Sequence, residues 1–294
     1  MKTTDHNDRP MLGIALASGG YGCFALQDAI VKWLVTDYAV PQILFVRSLV
    51  IVLITATLAA YFRHPSILKS RYRGTLVLRA ALMLVAWLLF YNAARFLGLA
   101  ELTTLYFSAP IIVVFLSILV LKESVGTGRW IACAVGFIGV VVAANPSHSP
   151  SLIPAAMCLI AGFCWAWSTI LVRLVSRTET TLTQMWATSL LFGIACALSF
   201  PWIWKTPDAM EWALMVALGL VATIGQYLLY EGFRYAPASA LAPVEYTGLI
   251  WAFLYGYIIW ADIPAINVFV GAIFIAAASL ILVLWERGKT SAPV

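Results

Sequence analysis

The sequence contains few charged residues and few of the groups that catalysis or metal binding requires. Only 11% of its 294 residues are charged, against 63% that are hydrophobic, and a water-soluble domain of that composition would expose too much apolar surface. The three histidines, His6, His64 and His148, lie outside the long apolar runs, and the five cysteines show no paired ligand spacing. These absences exclude a soluble domain and argue against a zinc site, a disulfide framework or a bound cofactor.

Long apolar runs are what the chain has instead. A helix of about 20 apolar residues crosses a bilayer, and the spacing of the runs predicts ten such spans joined by short loops. The runs cover approximately residues 11–35, 41–62, 75–96, 99–121, 127–144, 152–175, 180–200, 209–233, 238–260 and 264–285. The sequence therefore predicts an all-α polytopic membrane protein whose spans are surrounded by the lipid bilayer.

Two parts of the chain, residues 99–144 and 238–283, repeat the same pattern. One constant shift superposes them, and each is an apolar run, an acidic break and a second apolar run. The acidic breaks are Glu123 and Asp262, and we expect each to cap the helix that follows it. The repeat divides the chain into a tail, a five-helix half, a linker, a second five-helix half and a tail, at 1–10, 11–144, 145–151, 152–285 and 286–294.

The distribution of basic residues predicts how the spans are oriented. Most of the 18 Lys and Arg residues, Arg79, Arg129 and Arg173 among them, fall near span ends on the side of the N-terminus, and cytoplasmic loops carry such an excess. Both termini are therefore expected in the cytoplasm, and the fourth and ninth spans then point in opposite directions. Two inverted five-helix repeats around a central cavity are typical of transporters that work by alternating access.

Two charged residues are predicted to lie inside the first two spans, where charge is costly unless it is paired or faces a cavity. Asp28 precedes the outer end of the first span, and Arg47 lies at a comparable depth in the second. We expect an Asp28 to Arg47 ion pair, with Lys32 one helical turn above it. The pair is either a gate or substrate anchor, or a structural link between neighbouring helices, and the pattern leaves both open.

Glu245 is the other intramembrane acid, about two turns into the ninth span and opposite Tyr106 in the repeat. A carboxylate at this depth is suited to binding a substrate ammonium or to carrying a proton. The alternative is a structural ion pair with Arg234 or with another cation near the inner face. Glu231, one turn from Arg234, is interpreted as a structural partner of that residue.

Polar and aromatic residues recur on single faces of the spans expected near the centre. Trp87 and Tyr91 lie four residues apart, as do Gln226 and Tyr230, so each pair shares a helix face. We expect the set to line a mainly apolar cavity that has a few polar groups and almost no charge, with Arg47 as its one clear cation. Besides Glu245, the set comprises Gln27, Trp87, Tyr91, Tyr106, Phe107, Ser108, Trp165, Ser168, Gln226, Tyr230 and Tyr246.

Three stretches of the sequence resemble a known family. They are ALQDAIVKWL at the end of the first span, the Pro41 to Arg47 opening of the second, one residue shorter than in the family, and LAELTTLYFSAPI leading to LKES. With the two-fold plan, they resemble the drug/metabolite transporter superfamily and its EamA-type branch, which includes bacterial amino-acid exporters. The resemblance implies a basket of ten helices with spans one, three, four, six, eight and nine around the cavity. It also implies an inner-membrane exporter of neutral or aromatic amino acids and related metabolites.

The charge pattern helps to choose among substrates and functions. Carriers of sugar phosphates or nucleotides need several cavity cations, whereas an acid, an Arg or amide and several aromatics suit a zwitterionic amino acid. A lipophilic cationic drug would use the same aromatics and is the alternative substrate. A membrane-embedded transferase is the alternative from another class, but the spans hold no clustered acid, base or metal set. Scattered basic residues argue against nucleic acid, while proton exchange and oligomeric state stay open.

Overall fold

The structure is a computed structural model that describes residues 9–62, 72–93, 96, 105–144, 152–176, 178–261 and 266–290. The described residues form helices joined by short turns, and no strand occurs among them. The linker 145–151 and the cap expected at Asp262 lie outside these ranges. The all-α polytopic fold predicted from the sequence is confirmed.

Ten of the described helices have eleven residues or more, and they follow the order of the ten predicted spans. In the first half they are α1 Pro10–Leu34, α2 Val40–Tyr61, α3 Arg73–Ala93, α4 Ala109–Leu119 and α5 Thr127–Ala144. In the second half they are α6 Leu152–Ser176, α7 Thr181–Ala197, α8 Ala209–Tyr235, α9 Thr247–Trp260 and α10 Ile266–Thr290. Helices α1, α2, α3, α6, α8 and α10 are long and apolar enough to cross a membrane, whereas α4, α5 and α7 are apolar but shorter.

The helices pack mainly across the two halves of the chain. The principal contacts join α1 to α8, α3 to α6, α2 to α7 and α5 to α10. Since α6 is the repeat counterpart of α1 and α8 that of α3, the first two contacts are equivalent. The other two each join a helix to its own counterpart. The halves are therefore interlocked around a pseudo-two-fold relation rather than folded as separate bundles.

Small residues set two of these helix crossings. A Cβ added to Gly20 would lie 2.9 Å from the Gly225 carbonyl oxygen, where α1 crosses α8. A Cβ added to Gly139 would lie 2.8 Å from the Gly271 carbonyl oxygen, where α5 crosses α10. Close backbone approach through small residues is the usual basis of helix association in a bilayer, because the hydrophobic effect does not favour the burial of helix surface away from lipid. These contacts hold the crossings at which the two halves meet.

The ninth span is broken, although the sequence predicts one continuous helix over residues 238–260. It consists of a short helix Ala238–Leu241, a 3-10 turn Ala242–Tyr246, and α9. Pro243 lies at the start of the 3-10 turn and cannot donate a backbone hydrogen bond, so the α-helical ladder is interrupted there. Irregular backbone at membrane depth is tolerated where it lines a cavity, and Glu245 lies in this turn.

The first half has a corresponding break before α4. Phe107 and Ser108 form a turn there, and the Ser108 hydroxyl donates to the Leu105 carbonyl oxygen at 2.6 Å. In the second half, the Thr247 hydroxyl donates to the Val244 carbonyl oxygen at 2.7 Å. Ser108 and Thr247 are equivalent in the repeat, so both halves stabilise the break with the same side-chain to backbone bond.

Candidate functional site

A cavity of about 930 Å³ lies between the two halves. Its size is at the upper end of the usual range for small-molecule sites. The wall is built from α1, α2, α3, α6, α7 and α8 together with the two broken spans, and α5 and α10 contribute one residue each. Helices α2 and α7 therefore line the cavity in addition to the spans that the family resemblance implied.

Most of the side chains singled out in the sequence lie in the wall of this cavity. The side chains of Lys32 and Tyr91 lie outside the described part of the structure. Those in the wall are Gln27, Asp28, Arg47, Trp87, Tyr106, Phe107, Trp165, Ser168, Gln226, Tyr230 and Glu245.

Two side chains expected in the cavity are absent from its described wall. Ser108 uses its hydroxyl on the Leu105 carbonyl, as described above. Tyr246 is fully buried and packs against the backbone of Gly136, where an added Cβ would overlap its ring. Its ring also stacks on Phe107, with ring centroids 6.0 Å apart. Both residues thus support the broken spans, and neither is among the residues that line the cavity.

Glu245 is held by aromatic residues rather than by a cation. It is 5% exposed, and the Tyr21 hydroxyl donates to its carboxylate at 3.4 Å. The indole of Trp165 also lies near this carboxylate, but its N–H is outside hydrogen-bond geometry. Arg234, the cation proposed as an alternative partner, lies 3.2 Å from Glu231 instead. The interpretation of Glu231 as a structural partner of Arg234 is confirmed, and the Glu245 to Arg234 alternative is wrong.

Asp28 and Arg47 face the same cavity from α1 and α2. The Arg47 Nε donates to the Gln27 amide oxygen at 2.9 Å, and its guanidinium carbon lies 5.7 Å from the centroid of the Trp87 ring. Asp28 is exposed to the cavity and within electrostatic range of Arg47. The two charges therefore partly neutralise each other in the outer part of the wall.

A charge swap tests whether Asp28 and Arg47 support each other. Asp28→Asn or Arg47→Gln alone leaves one intramembrane charge without its opposite, so each should lower the yield of monodisperse folded protein. The double change Asp28→Arg with Arg47→Asp should recover part of that yield, measured by size-exclusion chromatography in detergent. Asp37→Asn is the control, because its exposed pair with Lys205 should contribute little. No recovery in the swapped variant would contradict the pairing.

Arg79 is the functional candidate that the sequence analysis missed. It was expected near the inner face, but its side chain lines the cavity and is only 2% exposed. Its Nη1 donates to the Thr188 hydroxyl at 3.1 Å, and its guanidinium carbon lies 4.3 Å from the centroid of the Tyr230 ring. Its position about two turns inside the start of α3 is the signal that could have found it.

The cavity is consequently charge-balanced rather than nearly uncharged. Two cations, Arg47 and Arg79, and two acids, Asp28 and Glu245, line its wall among aromatic rings. The expectation that Arg47 is the one clear cation is wrong. A wall with both signs of charge and several rings is suited to a small molecule that carries both charges and an apolar body.

A buried ion-pair network lies below the cavity, at the end of the bundle assigned to the cytoplasm. Arg129 at the start of α5 and Glu286 near the end of α10 are 2.8 Å apart, with side chains 7% and 4% exposed. Arg129 also donates to the Ser239 hydroxyl at 2.8 Å. Because the charges satisfy each other and are shielded from solvent, this contact ties α5, α10 and the broken ninth span together.

Glu123 belongs to the same network and caps a helix of the other half. Its carboxylate accepts from the backbone N–H groups of Ala238 and Ser239, each at 3.1 Å, and from the Ser239 hydroxyl at 2.7 Å. Arg173 of α6 lies 3.8 Å from it. The sequence predicts that Glu123 caps the following helix, α5, which is wrong, since long-range packing brings a helix start from the second half to it.

Among the described residues, the wall of the cavity extends to one end of the bundle and not to the other. Its wall includes Val35 just after α1, Gly256 near the end of α9, and Val268 at the start of α10. All three lie at the end opposite the network. In the other direction the wall ends near Phe233, whose carbonyl accepts a hydrogen bond from Arg173. With the orientation predicted from the basic residues, the cavity faces outward and the network closes the inner side.

The sequence matches the EamA-like transporter family twice, over residues 11–145 and 152–284. The chain belongs to the EamA-like transporter family. It is a multi-span membrane transporter, and the transferase alternative is wrong. The two matches of this EamA-family chain are its two repeats, one in each half, and they meet at the cavity.

Several curated transporters are similar to this EamA-family chain over nearly their whole length. An uncharacterised transporter of Helicobacter pylori strain J99 is 27% identical over 286 residues, which cover 93% of this chain and 95% of the relative. The S-adenosylmethionine uptake transporter of Rickettsia prowazekii is 24% identical, covering 91% and 90%. The pseudopaline exporter CntI of Pseudomonas aeruginosa strain UCBPP-PA14 is 24% identical, covering 94% and 97%. The family thus contains proteins named for uptake and for export.

A solved crystal structure shares the fold of this EamA-family chain. The two superpose with a TM-score of 0.78 at 16% sequence identity, covering 96% of this chain and 98% of the other. At that identity the likeness concerns the fold alone.

Proposed function

We propose that this transporter exports neutral or aromatic amino acids and related small metabolites across the bacterial inner membrane by alternating access. The observation that carries the proposal is the cavity itself, which combines two acids, two cations and aromatic rings. A zwitterion with an apolar side chain matches all three features. It brings one charge of each sign, so no charge of the wall or of the ligand is left buried without an opposite.

Glu245 is the group that we assign to the substrate ammonium. It has a hydroxyl near it but, among the described residues, no cation within ion-pair distance. The rings of Trp87, Phe90 and Trp165 line the same cavity and supply apolar area for the substrate side chain. A carboxylate surrounded by rings is also how a cationic group is generally recognised, through charge and cation–π contact together.

The same features keep a lipophilic cation as the second candidate substrate. Such a ligand would contact Asp28 and Glu245 and the aromatic wall, and it would leave the two arginines unused. Relatives named for S-adenosylmethionine and pseudopaline favour solutes with several polar groups over a purely lipophilic cation. Since the relatives include both uptake and export proteins, export is part of the proposal and is not inherited from the family.

Alternating access gives the inner network a role. With the cavity facing outward, the Arg129 to Glu286 pair and the Glu123 cap close the other side. Release toward the cytoplasmic side, or loading from it, requires that these contacts separate. An inverted repeat supplies a second arrangement in which the halves exchange conformations. We place the two repeats at residues 11–144 and 152–285, with 145–151 as the linker.

A counterflow assay tests the proposal. Purified protein in liposomes loaded with unlabelled L-phenylalanine should accumulate labelled L-phenylalanine from outside, and protein-free liposomes should not. The same liposomes loaded with glucose 6-phosphate should show no exchange of that solute. Exchange of a lipophilic cationic dye without exchange of any amino acid would favour the second candidate instead. Repeating the assay with a pH gradient separates proton antiport from facilitated diffusion.

Export has its own readout in cells. Cells that produce the protein should retain less labelled L-phenylalanine after loading than cells that produce a variant in which counterflow is lost. Greater retention with the active protein would contradict export while leaving transport intact.

A further inference from the structure

We propose that Arg79 binds the carboxylate of the substrate and forms the anionic-group subsite of the cavity, opposite in charge to Glu245. The inference deepens the proposed function and rests on it for the zwitterionic substrate. It also stands on the geometry of Arg79 alone, whichever small anion the cavity takes.

Arg79 is buried with most of its hydrogen-bonding capacity unused. A guanidinium has five N–H donors and is always charged. The hydrogen bond of Arg79 goes from Nη1 to the Thr188 hydroxyl, and its Nε is buried without a partner among the described residues. None of the ion pairs of the described chain involves it. A buried cation in this state lacks an anion.

The other arginines in the described helices that are buried or half-buried already have partners: Arg129 and Arg173 are buried, and Arg47 is half-buried. Arg47 donates to Gln27 and lies within electrostatic range of Asp28. Arg129 is paired with Glu286, and Arg173 lies near Glu123 in the inner network. Of the two arginines in the cavity wall, Arg79 is therefore the one without an acidic partner among the described residues.

The neighbours of Arg79 hold its guanidinium in place. The Tyr230 ring lies 4.3 Å from the guanidinium carbon, and the Tyr230 hydroxyl accepts from the Gln226 amide at 2.5 Å. A ring against the face of a guanidinium leaves its edges free, and the N–H groups lie along those edges. Carboxylates bind there with two parallel hydrogen bonds. The arrangement is pre-organised for a planar carboxylate.

Three matched probes test the assignment by binding to the purified, detergent-solubilised protein. L-Phenylalanine carries both charges, 3-phenylpropionate lacks the ammonium, and phenethylamine lacks the carboxylate. Binding is measured by quenching of tryptophan fluorescence. In Arg79→Gln we expect binding of L-phenylalanine and 3-phenylpropionate to weaken about 10-fold or more, the range for a lost charge-assisted hydrogen bond. Phenethylamine should bind as it does to the wild-type protein.

Two further variants separate a binding role from a structural one. Arg79→Lys keeps the charge but loses the planar fork, so it should recover part of the affinity for 3-phenylpropionate. Arg234→Gln removes a cation that pairs with Glu231 outside the cavity and should change none of the three affinities. Equal loss of phenethylamine binding in both Arg79 variants would show a structural role and overturn the assignment.

The remaining outcomes are also decisive. Wild-type protein that binds neither carboxylate probe, or Arg79→Gln protein that binds them unchanged, would overturn the assignment. Failure of the proposed function is seen separately, as absence of L-phenylalanine counterflow while Arg79-dependent binding persists. Conversely, counterflow that is the same in wild-type and Arg79→Gln protein at sub-saturating substrate would keep the function and reject Arg79.

Discussion

Replacing Arg129 by methionine should destabilise the protein by about 3–5 kcal/mol, because the change leaves Glu286 as a buried charge without its partner. The two side chains are 2.8 Å apart and almost fully shielded, and Arg129 also holds the Ser239 hydroxyl. The free energy of unfolding can be measured by titration with SDS in mixed micelles, followed by tryptophan fluorescence.

Two variants sharpen this experiment. Arg129→Met combined with Glu286→Met removes both charges and should recover most of the lost stability, since an apolar pair of similar size often replaces a buried ion pair without cost. Arg234→Gln is the matched control, because Arg234 is 42% exposed in its pair with Glu231 and should cost less than about 1 kcal/mol. A cost for Arg129→Met no greater than that of the control would mean that the network does not hold the inner side together.

The order and approximate bounds of the helices were predictable because the partition of long apolar segments into the bilayer determines them. Runs of about 20 apolar residues have few alternatives to spanning a bilayer, so the order and approximate bounds of ten helices followed from composition. The break in the ninth span did not follow, because hydropathy is blind to backbone geometry. Pro243 was the available signal for this break. The corresponding break before α4 is a turn stabilised by Ser108, and hydropathy does not reveal it either.

The rotation of each helix about its axis was the weakest part of the sequence prediction. When every face of a helix is apolar, periodicity does not say which face meets the cavity and which meets a neighbouring helix. Tyr246 illustrates this limit, because it turns away from the cavity to fill the space beside Gly136. Glu245, by contrast, carries a charge that excludes lipid as its surroundings, and it lines the cavity.

Basic residues were counted for orientation without regard to their partners. Arg129 and Arg173 lie at the end of the bundle that the basic residues assign to the cytoplasm, but they are buried and paired with acids from distant parts of the chain. Those pairings depend on contacts between the halves, which local sequence does not encode. Arg79 was assigned to the inner face, although its side chain lines the cavity. When span boundaries are uncertain by several positions, a cation about two turns inside a helix cannot be told from a residue at the helix end.

Replacing Glu245 by glutamine should lower the transport of L-phenylalanine about 10-fold or more. Glutamine has nearly the same shape but no charge, so the change removes the charge-assisted bond to the substrate ammonium. The Tyr21 hydroxyl donates to the Glu245 carboxylate, and it can donate to the amide oxygen of the glutamine in the same way, so packing should be preserved. The measurement is counterflow in liposomes at sub-saturating substrate, beside phenethylamine and 3-phenylpropionate binding to the same preparation.

The pattern across probes identifies the role of Glu245. An ammonium-binding carboxylate predicts weaker binding of L-phenylalanine and phenethylamine but not of 3-phenylpropionate, the reverse of the pattern expected for Arg79→Gln. A proton carrier predicts instead that all three probes bind normally while the pH dependence of counterflow disappears. Glu231→Gln is the control, because Glu231 accepts from Thr181 and pairs with Arg234 at the inner end of α8 and does not line the cavity. Full counterflow with an unchanged pH response in Glu245→Gln would remove this residue from the site, and the break in the ninth span would then have to be explained by gating alone.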